Sequence, residues 1–182
     1  MDLIDEDNYE RASLYKLFSS LFMQEPTEEV LETLKEIFQM KFDETTDEIG
    51  KDFRHLFQKP AGHLAPYESL YSYPLGDRPR LWGKVTEKVQ ECYRSAGLMI
   101  DEEIHVIPDH VSAELLFMSY LIDQGLTDRQ KSFIEDHLLT WMPAYCDELQ
   151  EHARTTFYKE VAEMLKEFLS SDYEEFESSG NH

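Results

Sequence analysis

The stretch HVIPDHVSAELLFMSYLIDQG, residues 105–125, constrains the fold of this chain more than any other. Val111, Leu115, Met118, Leu121 and Ile122 recur at the spacing that an α-helix brings onto one face. Pro108 suits a first helical turn, where its missing N–H is not needed and its fixed φ is already helical. Asp109 then lies beside the positive end of the helix dipole. His110 and Glu114, four apart, share a face and can touch. Gly125 fits the left-handed position just beyond the last turn. A polar trio at the mouth of a buried helix is either a structural latch or part of a binding site.

The rest of the chain repeats the helical pattern. A helix starting near Asp7 carries Leu14, Leu17, Phe18, Leu21 and Phe22 on one side. Pro26 breaks it, Thr27 opens a second helix over Val30, Leu31, Leu34, Ile37 and Phe38, and Thr45 or Thr46 opens a third over Ile49, Phe53, Leu56 and Phe57. Residues 58–79 are interrupted by Pro60, Gly62, Pro66, Pro74, Gly76 and Pro79, yet hold Tyr67, Tyr71 and Tyr73. Disordered segments are poor in aromatics, so this reads as an ordered, functional loop. Pro79 is expected to start a further helix that turns Leu81, Trp82, Val85, Val89, Cys92 and Tyr93 inward and ends at Gly97. After Gly125, Thr127 to Gln130 reads as a capping box launching Phe133, Ile134, His137, Leu138 and Trp141. Pro143 is expected to open a short continuation, and a last helix runs from Thr155 or Thr156 over Phe157, Val161, Leu165, Phe168 and Leu169. No segment shows sustained period-two alternation, and the helices follow no fixed repeat. The expectation is a single all-α domain over residues 1–170, a multi-helix bundle, with an acidic, flexible tail at 171–182.

Charge narrows the function. With 17 Lys and Arg against 38 Asp and Glu in 182 residues, the formal net charge is −21. Such a surface repels nucleic acid and anionic lipid and attracts cationic partners. The acidic start is no secretory signal, and no apolar run has the length of a membrane span. Cys92 and Cys146 sit far apart in no metal or redox motif. A cytoplasmic place with reduced thiols is expected.

Catalytic motifs are missing: no Gly-rich phosphate loop, HExxH pair or nucleophile elbow occurs. Glu102 and His105 form one Glu-x-x-His without a twin, and Asp52 with His55 does not complete a metal site. His110 beside Asp109 or Glu114 could shuttle a proton, but no nucleophile or oxyanion donor accompanies them, and a structural pair is the better reading. Arg78, Arg80, Lys84 and Lys88 fit a solvated face better than an anion site, and His137 with Trp141 reads as packing. The tyrosines of the loop either line a pocket or pin the loop to the core.

Two stretches taken together carry a resemblance. PYESLY at 66–71 and IPDHVSAELLFM at 107–118 resemble the paired signature of the TorD/DmsD/NarJ-type redox-enzyme maturation chaperones. Residues 11–22, DFRHLF at 52–57, HLLTWMPAYC at 137–146 and FYKEVAEML at 157–165 are similar to further segments of that family. The resemblance spans about residues 8–169 in matching order.

The resemblance implies a cytoplasmic all-helical chaperone and not an enzyme. Its implied partners are the catalytic subunit of a molybdopterin oxidoreductase and that subunit's twin-arginine signal peptide, which it would hold back from export during cofactor insertion. It implies no required cofactor, at most weak guanine-nucleotide binding, and a monomer or homodimer. By similarity, the peptide-binding residues are Tyr67, Glu68, Leu70 and Tyr71 of the loop, and Pro108, Asp109, His110, Glu114 and Met118 of the helix. The expectation is that Asp109, Glu114 and Glu68 face the arginines, that Tyr67, Leu70, Tyr71 and Met118 line an apolar part, and that His110 orients loop against helix. Tyr67 stands where some members have Trp. An assembly factor gripping a folded cytosolic subunit without a leader is the alternative, and a small His/carboxylate hydrolase a more distant one.

Overall fold

The computed structural model of the protein describes residues 6–58, 64–99 and 106–179. Among them the regular structure is helical, with no strand beyond an isolated bridge between Tyr67 and His110. Helix α1 (Glu6–Met23) packs along α5 (Val111–Asp123). α5 is apolar on nearly every side, as a central helix must be, and Val111, Leu115, Met118 and Leu121 have no measurable exposure. α1 buries Ala12, Tyr15, Phe18, Ser19, Leu21 and Phe22, while Leu14 and Leu17 turn part-way out. The small side chain of Ser19 lets the two helices approach closely, and its hydroxyl donates to the Ser112 carbonyl at 2.7 Å.

α2 (Glu28–Ile37) and α3 (Thr46–Phe53) begin where the sequence signals them. The Thr27 hydroxyl accepts from Val30 N, and Thr45 and Glu48 form a reciprocal capping box. A π-helical turn (Arg54–Gln58) extends α3 and sets Phe57 edge-on against Phe22 and Tyr158. α4 (Lys84–Ser95) and α6 (Thr127–Phe133) flank α5 in the chain; a second π-turn (Ile134–Leu138) leads into α7 (Leu139–His152), which packs on α8 (Thr156–Ser179). The start of α8 is held by α3: Asp52 Oδ2 accepts from Arg154 N, Thr155 N and the Thr155 hydroxyl at 3.0, 2.8 and 2.6 Å.

Several expected boundaries move. The helix expected from Pro79 begins at Lys84, because Trp82 has φ 57°, outside any right-handed helix, and Gly83 takes the extended cap position. Leu81 and Trp82 therefore point outward, Trp82 with 59% exposure. α5 begins at Val111 and not at Pro108, since the His110 ring caps it by accepting from Ser112 N. The capping box at Thr127 does not form. Leu126 is the cap, and Gln130 turns inward, its amide donating to the Leu121 carbonyl. Pro143 lies inside α7 instead of opening a new helix.

α8 continues to Ser179, and Asp172 is buried against α1. Arg11 Nε donates to Asp172 Oδ1 at 2.5 Å, the Tyr15 hydroxyl to Oδ2 at 2.8 Å, and the Arg11 guanidinium lies 5.1 Å from the Phe176 ring centre. A chain ending at residue 170 should therefore lose about 2–3 kcal/mol in urea denaturation, since Arg11 and Tyr15 are left without their acceptor. Unchanged stability would show that residues 171–179 behave as a flexible tail in solution.

Candidate functional site

The two stretches singled out in sequence lie side by side. Val111 N donates to the Pro66 carbonyl at 2.9 Å, Glu68 N to the Asp109 carbonyl at 3.0 Å, and Ser69 N to Asp109 Oδ2 at 2.9 Å. The loop then makes one 3₁₀ turn (Glu68–Leu70). Tyr67 sets its ring edge-on to His110, with centroids 5.1 Å apart. From α4, the Thr86 hydroxyl donates to Asp109 Oδ1 at 2.8 Å and the Tyr93 hydroxyl to the Pro108 carbonyl at 2.7 Å. Asp109 thus joins three segments through one buried carboxylate whose two oxygens are both satisfied.

Behind this junction lies a second polar cluster. Glu68 Oε2 is 2.9 Å from His137 Nδ1, and His137 Nε2 is 3.5 Å from Cys92 Sγ. Glu114 accepts from Trp141 Nε1 at 2.9 Å and lies against the Glu68 carboxylate. Two adjacent buried carboxyls cannot both ionise cheaply. Burial first, and then the charge of Glu68, push the Glu114 carboxyl well above the usual carboxylate range. Burial pushes the His137 imidazole down, but its hydrogen bonds to Cys92 and Glu68 outweigh this and raise its pKa to about 9. His137 is therefore an imidazolium near neutral pH, paired with Glu68.

His110 behaves oppositely. Its Nδ1 accepts from Ser112 N at 3.1 Å and lies 2.7 Å from the Ser112 hydroxyl. Burial lowers its pKa to about 4, so the ring stays neutral and serves as a cap.

These positions alter the expected division of labour. Glu68, Asp109 and Glu114 are buried and turned inward, so in this conformation none offers its carboxylate to an arginine from outside. Each has a partner within the chain, and exposing any of them would cost those bonds. Met118 is core and lines no surface. The expected His110–Glu114 contact is replaced by His110–Ser112 and Glu114–Trp141. Tyr67, Leu70, Tyr71 and His110 stay half-buried, and Tyr71 packs tilted against Trp141 and edge-on to Tyr145 while its hydroxyl donates to Glu148 at 2.9 Å. Sequence reasoning gave His137 and Trp141 to packing; both hold the acids of the cluster. Their i, i+4 spacing, which places two polar tips on one helical face, was the available signal. Arg78, Arg80 and Lys84 line a cleft of about 380 Å³ together with Ser69, while Lys88 lies apart from it. Glu102 and His105 lie outside the described residues, among which no group of His, Cys, Asp and Glu is arranged to hold a metal.

An open apolar groove of about 510 Å³ runs beside this junction. Pro108 lies at the mouth of α5, and Tyr93, Leu98, Met99, Leu116 and Phe117 supply the apolar walls. Leu116, on the outer face of α5, is 45% exposed and Met99 is 93% exposed. Lys16 and Asp123 pair with each other at 2.8 Å along its edge. No helix among the described residues is long and apolar enough to cross a membrane.

The sequence profile described as the nitrate reductase delta subunit matches residues 20–147. The chaperone protein TorD of Psychrobacter sp. is 30% identical over 91% of this chain and 78% of its own length. That of Vibrio parahaemolyticus is 26% identical over 91% of this chain and 94% of its own length. In fold, the chain is similar to a crystal structure from Archaeoglobus fulgidus described as a redox enzyme maturation protein. The TM-score is 0.57 at 23% identity, covering 88% of this chain and 93% of the other. The matched span includes the loop, the Pro-Asp-His turn, α5 and the His137 cluster. This chain therefore belongs to the nitrate reductase delta subunit family, as a relative of the TorD chaperones.

Proposed function

We propose that this protein is a cytoplasmic chaperone that binds the twin-arginine signal peptide of a molybdopterin oxidoreductase and delays its export while the cofactor is inserted. The observation that carries this reading is the apolar groove on the outer face of α5, set in a chain of net charge −21. A twin-arginine leader pairs a cationic start with an apolar stretch. The groove suits the apolar part docked as a helix, and the acidic field suits the arginines and speeds encounter. Pro108, Tyr67 and His110 at the entry to α5, with Leu70 and with Tyr71 on the α7 side of the loop, are the candidate residues. Glu68, Asp109, Glu114 and Met118 contribute by holding the loop and helix in place and not by direct contact.

The test is a titration of a labelled twin-arginine leader peptide from a molybdopterin oxidoreductase, followed by fluorescence anisotropy. Leu116→Glu puts a charge in the groove at an exposed position where stability should change by only about 0.5 kcal/mol. It should weaken binding about 10-fold or more, equivalent to about 1.4 kcal/mol, and raised salt should weaken it further. Affinity indifferent to both would remove the groove and the acidic field from the recognition. A second reading is a grip on a folded cytosolic subunit that carries no leader. Equal capture of client with and without its leader would favour it.

A further inference from the structure

Cys92 has no part in that reading, yet it occupies a built environment. Its sulfur lies 3.5 Å from His137 Nε2, and His137 Nδ1 is held 2.9 Å from Glu68 Oε2. Glu68 and His137 are buried, so the ring cannot turn without breaking both contacts. Cys92 itself is part-exposed. It lines two cavities of about 250 and 530 Å³ that share Ser95, Asp136 and His137 in their walls. A nucleophile, an imidazole within reach and a carboxylate fixing the imidazole is the arrangement that activates thiols. Other charged groups around it are Lys88 and Glu91 from α4, Arg129 from α6 and Asp136 from the π-turn, with Glu114 of α5 behind Glu68. They comprise both signs, so they leave the His137 contact as the directional one.

Cys146 provides the contrast within the same chain. It is 1% exposed, and burial, helped by Asp147, pushes its thiol up to about 12.

We propose that Cys92 is a reversible modification site, a thiol activated by His137 that exchanges with small aliphatic disulfides in the cleft between α4 and the Ile134–Leu138 turn. In the exchange, the Cys92 thiolate attacks one sulfur of the disulfide. A bond forms between Cys92 Sγ and that sulfur, the original S–S bond breaks, and the other half leaves as a thiolate that takes up a proton from solvent. Cys92 is oxidised to the disulfide level and the departing half is reduced. Because one imidazole contacts both Cys92 and Glu68, an adduct here acts on the same ring that holds the loop.

The probes are iodoacetamide and hydroxyethyl disulfide, both uncharged, so the net charge of the protein does not bias them. Labelling is followed by peptide mass spectrometry at about pH 6.5, where an ordinary thiol is almost wholly protonated. Cys92 in the intact chain should react about 10-fold or more faster than glutathione under the same conditions, with Cys146 unlabelled. Hydroxyethyl disulfide should give one adduct, at Cys92, reversed by dithiothreitol. His137→Gln should slow labelling of Cys92 about 10-fold, with circular dichroism confirming the fold. Cys92 reacting no faster than glutathione overturns the proposal, and this comparison needs no variant. An unchanged rate in a folded His137→Gln protein also overturns it, because the activation would not come from His137.

Discussion

Replacing His137 by alanine is expected to lower the unfolding free energy by about 3–5 kcal/mol, the cost of leaving one member of a buried ion pair alone. The substitution strips Glu68 of its cation while leaving it buried beside Glu114 and between the loop and α5. The pair also makes stability depend on pH in a defined sense. The folded-state pKa of His137 is raised to about 9, above an unfolded value of about 6.5. The stabilisation is complete below the unfolded value and is lost as pH rises through the folded one. Over that interval it should amount to as much as ~3 kcal/mol. Urea midpoints of the wild-type protein should therefore fall between about pH 6.5 and pH 9, and those of His137→Ala should change far less. The difference between the two curves isolates His137 from other groups that titrate there. Parallel curves would mean that the imidazolium–carboxylate pair does not form in solution.

The second large effect is expected at Asp109. Alanine there leaves Ser69 N–H and the Thr86 hydroxyl buried without an acceptor. At about 1–3 kcal/mol for each orphaned group, a loss near 3–4 kcal/mol is expected. Asp109→Asn should cost less, because the amide oxygen can still accept from Ser69 and the threonine hydroxyl can rotate to accept from the amide nitrogen. Amide exchange reads the local consequence directly. In Asp109→Ala the Ser69 amide should exchange like a surface loop, while amides in the middle of α5, such as Met118, keep protection set by global stability. A Ser69 amide that stays protected in the alanine variant would show that the loop is held by other contacts.

The helical class, the stripe of α5 and the starts of α2 and α3 were legible because local rules decide them. Thr27 and Thr45 each cap with a residue three positions on. What was not legible depended on partners distant in the chain. Glu68 and His137 are 69 residues apart, and neither has a local feature that names the other. Asp172 in an acidic, serine-rich end looked solvated until Arg11 and Tyr15, over 150 residues away, are seen to enclose it. Trp82 was placed inside a helix by its spacing, but spacing carries no information about a left-handed φ. The acids of the candidate site show the same limit. The family resemblance, and not the residues alone, suggested carboxylates aimed at an incoming cation; in the fold Ser69 and Thr86 donate to Asp109 and Trp141 donates to Glu114, from partners that no local pattern names.

The pairing of α1 with α5 has a consequence for how this protein is made. Roughly 100 residues separate the two helices, and at about 5–20 residues per second a ribosome needs on the order of 5–20 s to deliver the second after the first. During that interval Tyr15, Phe18, Leu21 and Phe22, all buried in the finished fold, lack both α5 and the later α7 and α8, whose Tyr145 and Phe168 pack against Phe22, Tyr15 and Phe18. Non-local pairing of this kind slows folding and leaves apolar surface open to other chains. The nascent protein therefore passes through a period in which it presents to its surroundings an unsatisfied apolar helix face of its own.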